Sequence, residues 1–151
     1  MKKKILMILL CGTIMINLTA CQKYNGHYIS ESNIRISNND ISVSIKEGTL
    51  TNTGATFIIE NNSDQALKYG EGYDLEIKQN DLWYKINAGK IEVHPILLEL
   101  EPNSSVELNF AWLHSYGNLE AGEYRMIKAV WFENDDGTDE NFYIGTEFTI
   151  E

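Results

Sequence analysis

Val106, Leu108, Phe110 and Trp112 alternate with Glu107, Asn109 and Ala111. A period of two puts one set of side chains on each face of an extended chain, so this segment is predicted to be a strand with one buried face. The same period recurs at Ile41, Val43 and Ile45, at Phe57 and Ile59, and at Tyr73, Leu75 and Ile77. It returns at Phe142, Ile144, Phe148 and Ile150, with Thr146 between them. Turn-forming clusters separate these runs: Asn52-Thr53-Gly54, Asn61-Asn62-Ser63-Asp64, Gly70-Glu71-Gly72, Glu101-Pro102-Asn103-Ser104 and Asn134-Asp135-Asp136-Gly137. Gln79-Asn80-Asp81 is expected to act as a three-residue turn, folding 73–78 onto 82–86 as a hairpin. Beyond the first 20 residues no run of ten or more carries helical spacing. Short strands with turns at regular intervals predict an all-β chain, a sandwich or a barrel. One strand, 123–132, resists a simple reading: one phase buries Tyr124, Met126 and Val130 but brings Lys128 inward, and the other buries Ile127, Ala129 and Trp131 beside Arg125.

The N-terminus follows a different rule. Lys2-Lys3-Lys4 precedes an apolar run from Ile5 to Ile16, the physical signature of an export signal. The run is short for a membrane span, which needs roughly 20 apolar residues, although a retained anchor is the alternative. Leu18-Thr19-Ala20-Cys21 looks like a bacterial lipobox. That resemblance implies a diacylglyceryl thioether on Cys21 and cleavage just before it, with membrane lipid as the partner of Cys21. Two acyl chains give stable anchoring where one gives only marginal binding. The expected organisation is a signal peptide at 1–20, a lipidated cysteine and polar tether at 21–39, and a folded domain at 40–151. Tyr28, Ile29, Ile34 and Ile36 offer a short edge strand late in the tether. The chain has two cysteines. Cys11 would leave with the signal and Cys21 would carry lipid, so the folded domain would have no disulfide and must be held by its core.

The chain has 12 Lys and Arg against 22 Asp and Glu. Three of the lysines and none of the acids precede Cys21, which leaves 9 basic and 22 acidic side chains from there on, a balance of −13. Nucleic acid is excluded as a partner class, because phosphate recognition needs a positive footprint. All 16 aromatic residues follow Cys21, which is unlike an acidic disordered tail.

Leu119-x-x-Gly122-x-Tyr124-Arg125 resembles the turn into the second-last strand of immunoglobulin-like domains, where a tyrosine hydroxyl bonds back to loop backbone. Tyr124 is therefore expected to be structural, with Gly122 providing the turn. Asn61-Asn62-Ser63, Tyr69-Gly70, Tyr73-Asp74-Leu75-Glu76, Trp83, Glu101-Pro102-Asn103-Ser104, Trp112, Tyr116-Gly117, Leu119 to Lys128 and Phe148-Thr149-Ile150 extend the likeness. Together these resemble a bacterial immunoglobulin-like domain family found in exported and membrane-anchored proteins, from about Ile41 to the end. The resemblance implies a two-layer antiparallel immunoglobulin-like β-sandwich and an accessory, adhesive or sensory module. It brings no catalytic residue and no cofactor.

Other chemistry is thinly supported. His27, His94 and His114 lack metal-ligand spacing, and Ser115 beside His114 has no nucleophile-elbow context. No catalytic or metal site is expected. The acidic run Asp135–Glu140 partly resembles a calcium loop, although a hairpin tip explains its Asp-Gly pair. The densest aromatic and acidic patch is Tyr69, Glu71, Tyr73, Asp74, Trp83 and Tyr84. It is the expected binding surface, suited to a cationic or sugar-like ligand by stacking and hydrogen bonding. The expected function is a non-catalytic binding, adhesion or accessory lipoprotein on the outer face of the cell membrane, meeting a protein or cell-envelope component. The alternative is an acidic inhibitor of a secreted cationic enzyme such as a lysozyme or protease, steered by charge.

Overall fold

The computed structural model describes residues 23–24, 26–89 and 96–151. Cys21, the signal and His94 lie outside the described residues. The described elements are β1 (Lys23–Tyr24), β2 (His27–Glu31), β3 (Ile41–Ile45), β4 (Gly54–Asn61), β5 (Leu67–Tyr69), β6 (Asp74–Gln79) and β7 (Leu82–Ile86). They continue with β8 (Leu98–Leu100), β9 (Ser104–Ala111), the single-turn α1 (Leu113–Tyr116), β10 (Gly122–Glu133) and β11 (Asp139–Ile150). Every pairing among them is antiparallel. The large sheet runs β1-β2-β7-β6-β10-β5-β8, with β11 also on β10, and the small sheet runs β3-β4-β9. This is an all-β, two-sheet antiparallel architecture consistent with an immunoglobulin-like sandwich.

The period-two runs supply the facing surfaces. Ala55, Phe57 and Ile59 of β4 and Phe110 of β9 are buried from the small sheet, and Leu75, Ile77, Tyr124, Met126 and Phe148 from the large one. Trp112, fully buried, stacks on Phe148 with centroids 5.7 Å apart and donates its indole N–H to the Asn52 carbonyl at 2.9 Å. A second cluster, Ile41, Ile59, Leu67, Tyr69, Leu100, Val130 and Ile144, fills the other end. Each such side chain contributes about 1.5–3 kcal/mol on full burial, and these layers stabilise the fold without a disulfide among the described residues.

Three details go beyond the sequence reading or depart from it. The β6–β7 turn has two residues, not three: Asn80 and Asp81 both adopt positive φ, at 51° and 64°, the backbone hand that matches strand twist in a two-residue hairpin. The strand at 123–132 takes the phase that brings Lys128 inward. Tyr124, Met126, Lys128 and Val130 share the inner face, and Arg125 and Ile127 are buried on the outer face as well.

The third concerns the segment expected to be a polar tether. Lys23–Tyr24 and His27–Glu31 join the large sheet, with Ile29 opposite Ile86, so the strand expected at Tyr28 and Ile29 is present, whereas Ile34 and Ile36 lie outside any strand. Residues 32–38 then cross the outer face of that sheet. Ser32 N–H donates to the Trp83 carbonyl and Ser37 N–H to the Tyr143 carbonyl, both at 2.8 Å, and the Asn38 amide brackets Gly145 through its N–H and its carbonyl. Polar spacing hid this strap because it is held by hydrogen bonds, from the backbone at Ser32 and Ser37 and from the side chains of Ser32 and Asn38, and not by a run of buried apolar residues.

Candidate functional site

The site begins with an interruption. β5 and β6 pair with the same edge of β10, Tyr69 opposite Val130 and Asp74 opposite Ile127. Gly70, Glu71, Gly72 and Tyr73 leave the sheet between them, so Lys128 and Ala129 face a gap on that edge. Lys128 closes part of it from inside. Its Nζ donates to the carbonyls of Gly70 at 2.5 Å and Gly72 at 3.0 Å. It lies 5.1 Å from the centre of the Tyr69 ring and 5.6 Å from that of Phe110.

A cavity of about 860 Å³ opens at this gap, within the size range of small-molecule sites. Tyr69, Tyr73, Phe110, Trp131 and Tyr143 give it aromatic walls, Lys128 lines it, and Glu71 and Asp74 stand along it. Tyr73 and Phe110 are stacked with centroids 4.2 Å apart. The Lys128 side chain is 1 % exposed, and no carboxylate among the described residues lies within ion-pair distance of it. Burial lowers its pKa to about 8, against a smaller upward pull from Glu71. Burial also raises the Tyr69 phenol and pushes that of Tyr73 up to about 12, so both are neutral donors at neutral pH.

Of the six residues expected to form a binding surface, Tyr69, Glu71, Tyr73 and Asp74 come together here. Asp74 accepts from Lys85 Nζ at 2.8 Å. Trp83 and Tyr84 do not line the cavity. Trp83 covers the Arg125 guanidinium on the outer face, 4.6 Å from the ring centre, and Tyr84, opposite Ile77, packs against the core. Lys128 was missed as a site residue because a lysine inside a strand reads as a phase error. The signal available was that no phase of 123–132 buries apolar residues alone.

Two further polar groupings are structural. Tyr124 Oη donates to the Glu120 carbonyl at 2.8 Å, and Glu120 N–H donates to Tyr24 Oη at 2.7 Å. The two hydroxyls lie 2.5 Å apart, and the Tyr24 proton is the one left for that bond. Burial raises the Tyr124 phenol well above its ordinary range. On the outer face, Glu76 is fully buried and accepts from Arg125 Nε at 2.7 Å and from Ser32 Oγ at 2.5 Å. At the β10–β11 tip, Asp136 accepts from the Thr138 N–H and hydroxyl, which lower its pKa. No group of three or more potential ligands there or elsewhere among the described residues is placed to hold a metal.

The fold and this site define a two-sheet antiparallel β module with an aromatic-walled cavity beside an interrupted strand. The chain matches the family described as a bacterial Ig-like domain over residues 37–149, and it belongs to that family. It is thus a module of the non-catalytic accessory and adhesion kind. No curated protein matches it. A crystal structure of a protein from Archaeoglobus fulgidus is similar at 17 % identity over 74 % of this chain and 95 % of that one, with a TM-score of 0.28, too loose a superposition to carry an argument.

Proposed function

We propose that this chain is a lipid-anchored lipoprotein on the outer face of the cell membrane, whose Ig-like domain binds a protein or cell-envelope component through the Tyr69–Asp74 cavity. The anchor rests on Lys2-Lys3-Lys4, the apolar run and Leu18-Thr19-Ala20-Cys21. The binding role is carried by one observation, the aromatic-walled cavity of about 860 Å³ where β5 and β6 part along β10. No helix among the described residues is long and apolar enough to cross a membrane, and lipid on Cys21 supplies attachment without one.

Cell fractionation of the full chain and its Cys21→Ser variant tests the anchor. The parent chain is expected in the membrane fraction, with diacylglyceryl on Cys21 by mass spectrometry, and the variant is expected to be released or left uncut. An unmodified Cys21 in membrane-derived protein refutes it. Cross-linking on intact cells tests the binding role. Tyr73→Ala is expected to lose the partner that the parent chain captures, and unchanged capture refutes the cavity as the binding face. Capture of a secreted cationic enzyme would move the assignment to an inhibitor.

A further inference from the structure

Lys128 lines the cavity with two of its three N–H donors satisfied and no paired anion among the described residues. An ammonium has three N–H donors, and two are used by the Gly70 and Gly72 carbonyls. The third has no acceptor among the described residues. The aromatic contacts with Tyr69 and Phe110 offset part of the cost of burial. A buried cation without an anion nevertheless remains costly. An arriving carboxylate would repair that deficit with a charge-assisted hydrogen bond, which is stronger than a neutral one. The walls beside it are flat and apolar, led by the Tyr73–Phe110 stack. This departs from the expectation from sequence, where the aromatics with Glu71 and Asp74 suggested a cationic or sugar-like ligand. Glu71 is exposed and Asp74 is already paired with Lys85, whereas the buried charge is positive.

Building on the cavity as a binding site, we propose that it takes a small carboxylate with a flat apolar body, the carboxylate meeting Lys128 and the body lying against Tyr73 and Phe110. The groups lining the cavity with Lys128 are Tyr69 on β5, Glu71 and Tyr73 in the connection, Asp74 on β6, the uncharged Asn109 and Phe110 on β9, and Tyr143 on β11, and of the charged ones Glu71 is the one that acts on the ammonium. With Tyr69 and Tyr73 both raised, Lys128 is the group that loses its charge between pH 7 and 9.5, so carboxylate affinity falls as pH rises through that window.

The test titrates the full chain in phospholipid nanodiscs with phenylacetate and with its uncharged counterpart phenylacetamide, read by tryptophan fluorescence. Phenylacetate is expected to bind at least tenfold tighter than phenylacetamide at pH 7, and Lys128→Met is expected to abolish that preference. In the parent chain alone the preference is expected to shrink several-fold between pH 7 and 9.5, a readout that survives if the variant does not fold. Equal affinities, binding by neither probe, or a preference that persists in Lys128→Met or is flat with pH would overturn the proposal. Those results leave the Tyr73→Ala cross-linking outcome untouched, so the carboxylate proposal and the wider binding role fail separately.

Discussion

Tyr124 shows how much one hydroxyl can organise. Its ring fills the core, stacked on Phe148 with centroids 5.7 Å apart. Its hydroxyl, that of Tyr24 and both backbone groups of Glu120 form a closed ring of hydrogen bonds. Tyr124→Phe would leave the Glu120 carbonyl and the Tyr24 O–H unpaired in a buried place, a cost of about 1–3 kcal/mol. Because Tyr24→Phe breaks the same ring, the double variant is expected to cost less than the two single changes added together, with a coupling of about 0.5 kcal/mol or more. Denaturant unfolding of the four proteins checks this, and simple additivity would show that the ring is not a unit. Loss of the whole ring system, Tyr124→Ala, is expected to cost about 3–5 kcal/mol, as for other large-to-small core changes.

Among the elements, the strap at 32–38 and the strand beneath it depend on each other. Arg125 on β10 and Glu76 on β6 stand opposite each other in the register. The strap closes over them, with Ser32 hydroxyl on Glu76 and the Ile34 carbonyl accepting from Arg125 at 3.2 Å. Trp83 shields the guanidinium from the side. Removing one partner leaves the other charge buried and alone, so Glu76→Ala is expected to destabilise by about 3–5 kcal/mol, whereas replacing the pair by Leu and Met is expected to restore much of that loss. Thermal or denaturant unfolding of the single and double variants decides it; a mild Glu76→Ala would mean that the strap lifts and lets water in. Gly145 sets the strap's other end. A Cβ there would sit 2.1 Å from the Met126 carbonyl oxygen, a close approach between β10 and β11 that only glycine permits.

For the whole molecule, the titration of buried groups sets the shape of stability against pH. Lys128 has a folded pKa of about 8 against an ordinary 10.5. Between those values the unfolded chain binds the extra proton, so stability rises with pH, by on the order of 3 kcal/mol for a shift of this size. The penalty is fully present below pH 8. Tyr73, Tyr116 and Tyr124 act in the opposite sense. Burial raises all three, so above pH 10 the unfolded chain loses phenolic protons that the folded chain keeps, and stability falls. The expected profile climbs from pH 8 to about 10 and then declines. Lys128→Met is expected to flatten the climb and leave the decline. Denaturant midpoints across pH 7–11 measure both limbs; a climb that persists in the variant would assign it to another group.

Several features were legible in the residues alone. Alternation at Phe57 and Ile59, at Leu75 and Ile77, and at Phe148 and Ile150 marks inner faces, because burial follows a period of two wherever one side of a sheet is dry. Glycine and asparagine mark the turns because few other residues tolerate their backbone. Four residues of the cavity, Tyr69, Glu71, Tyr73 and Asp74, are close in sequence and stay close in space. Other features needed the fold. Residues 23–38 joined the sheet and its strap through backbone ladder bonds and through the Ser32 and Asn38 side chains, whose partners Glu76 and Gly145 are distant along the chain. Trp83 and Tyr84 parted because neighbouring strand residues point to opposite faces. Lys128 became a cavity residue because β5 and β6 part opposite it, more than 50 residues away along the chain. Local sequence carries periodicity and turn chemistry. It does not carry the partner that a long-range pairing supplies or withholds, and that pairing decided the charge inside the site.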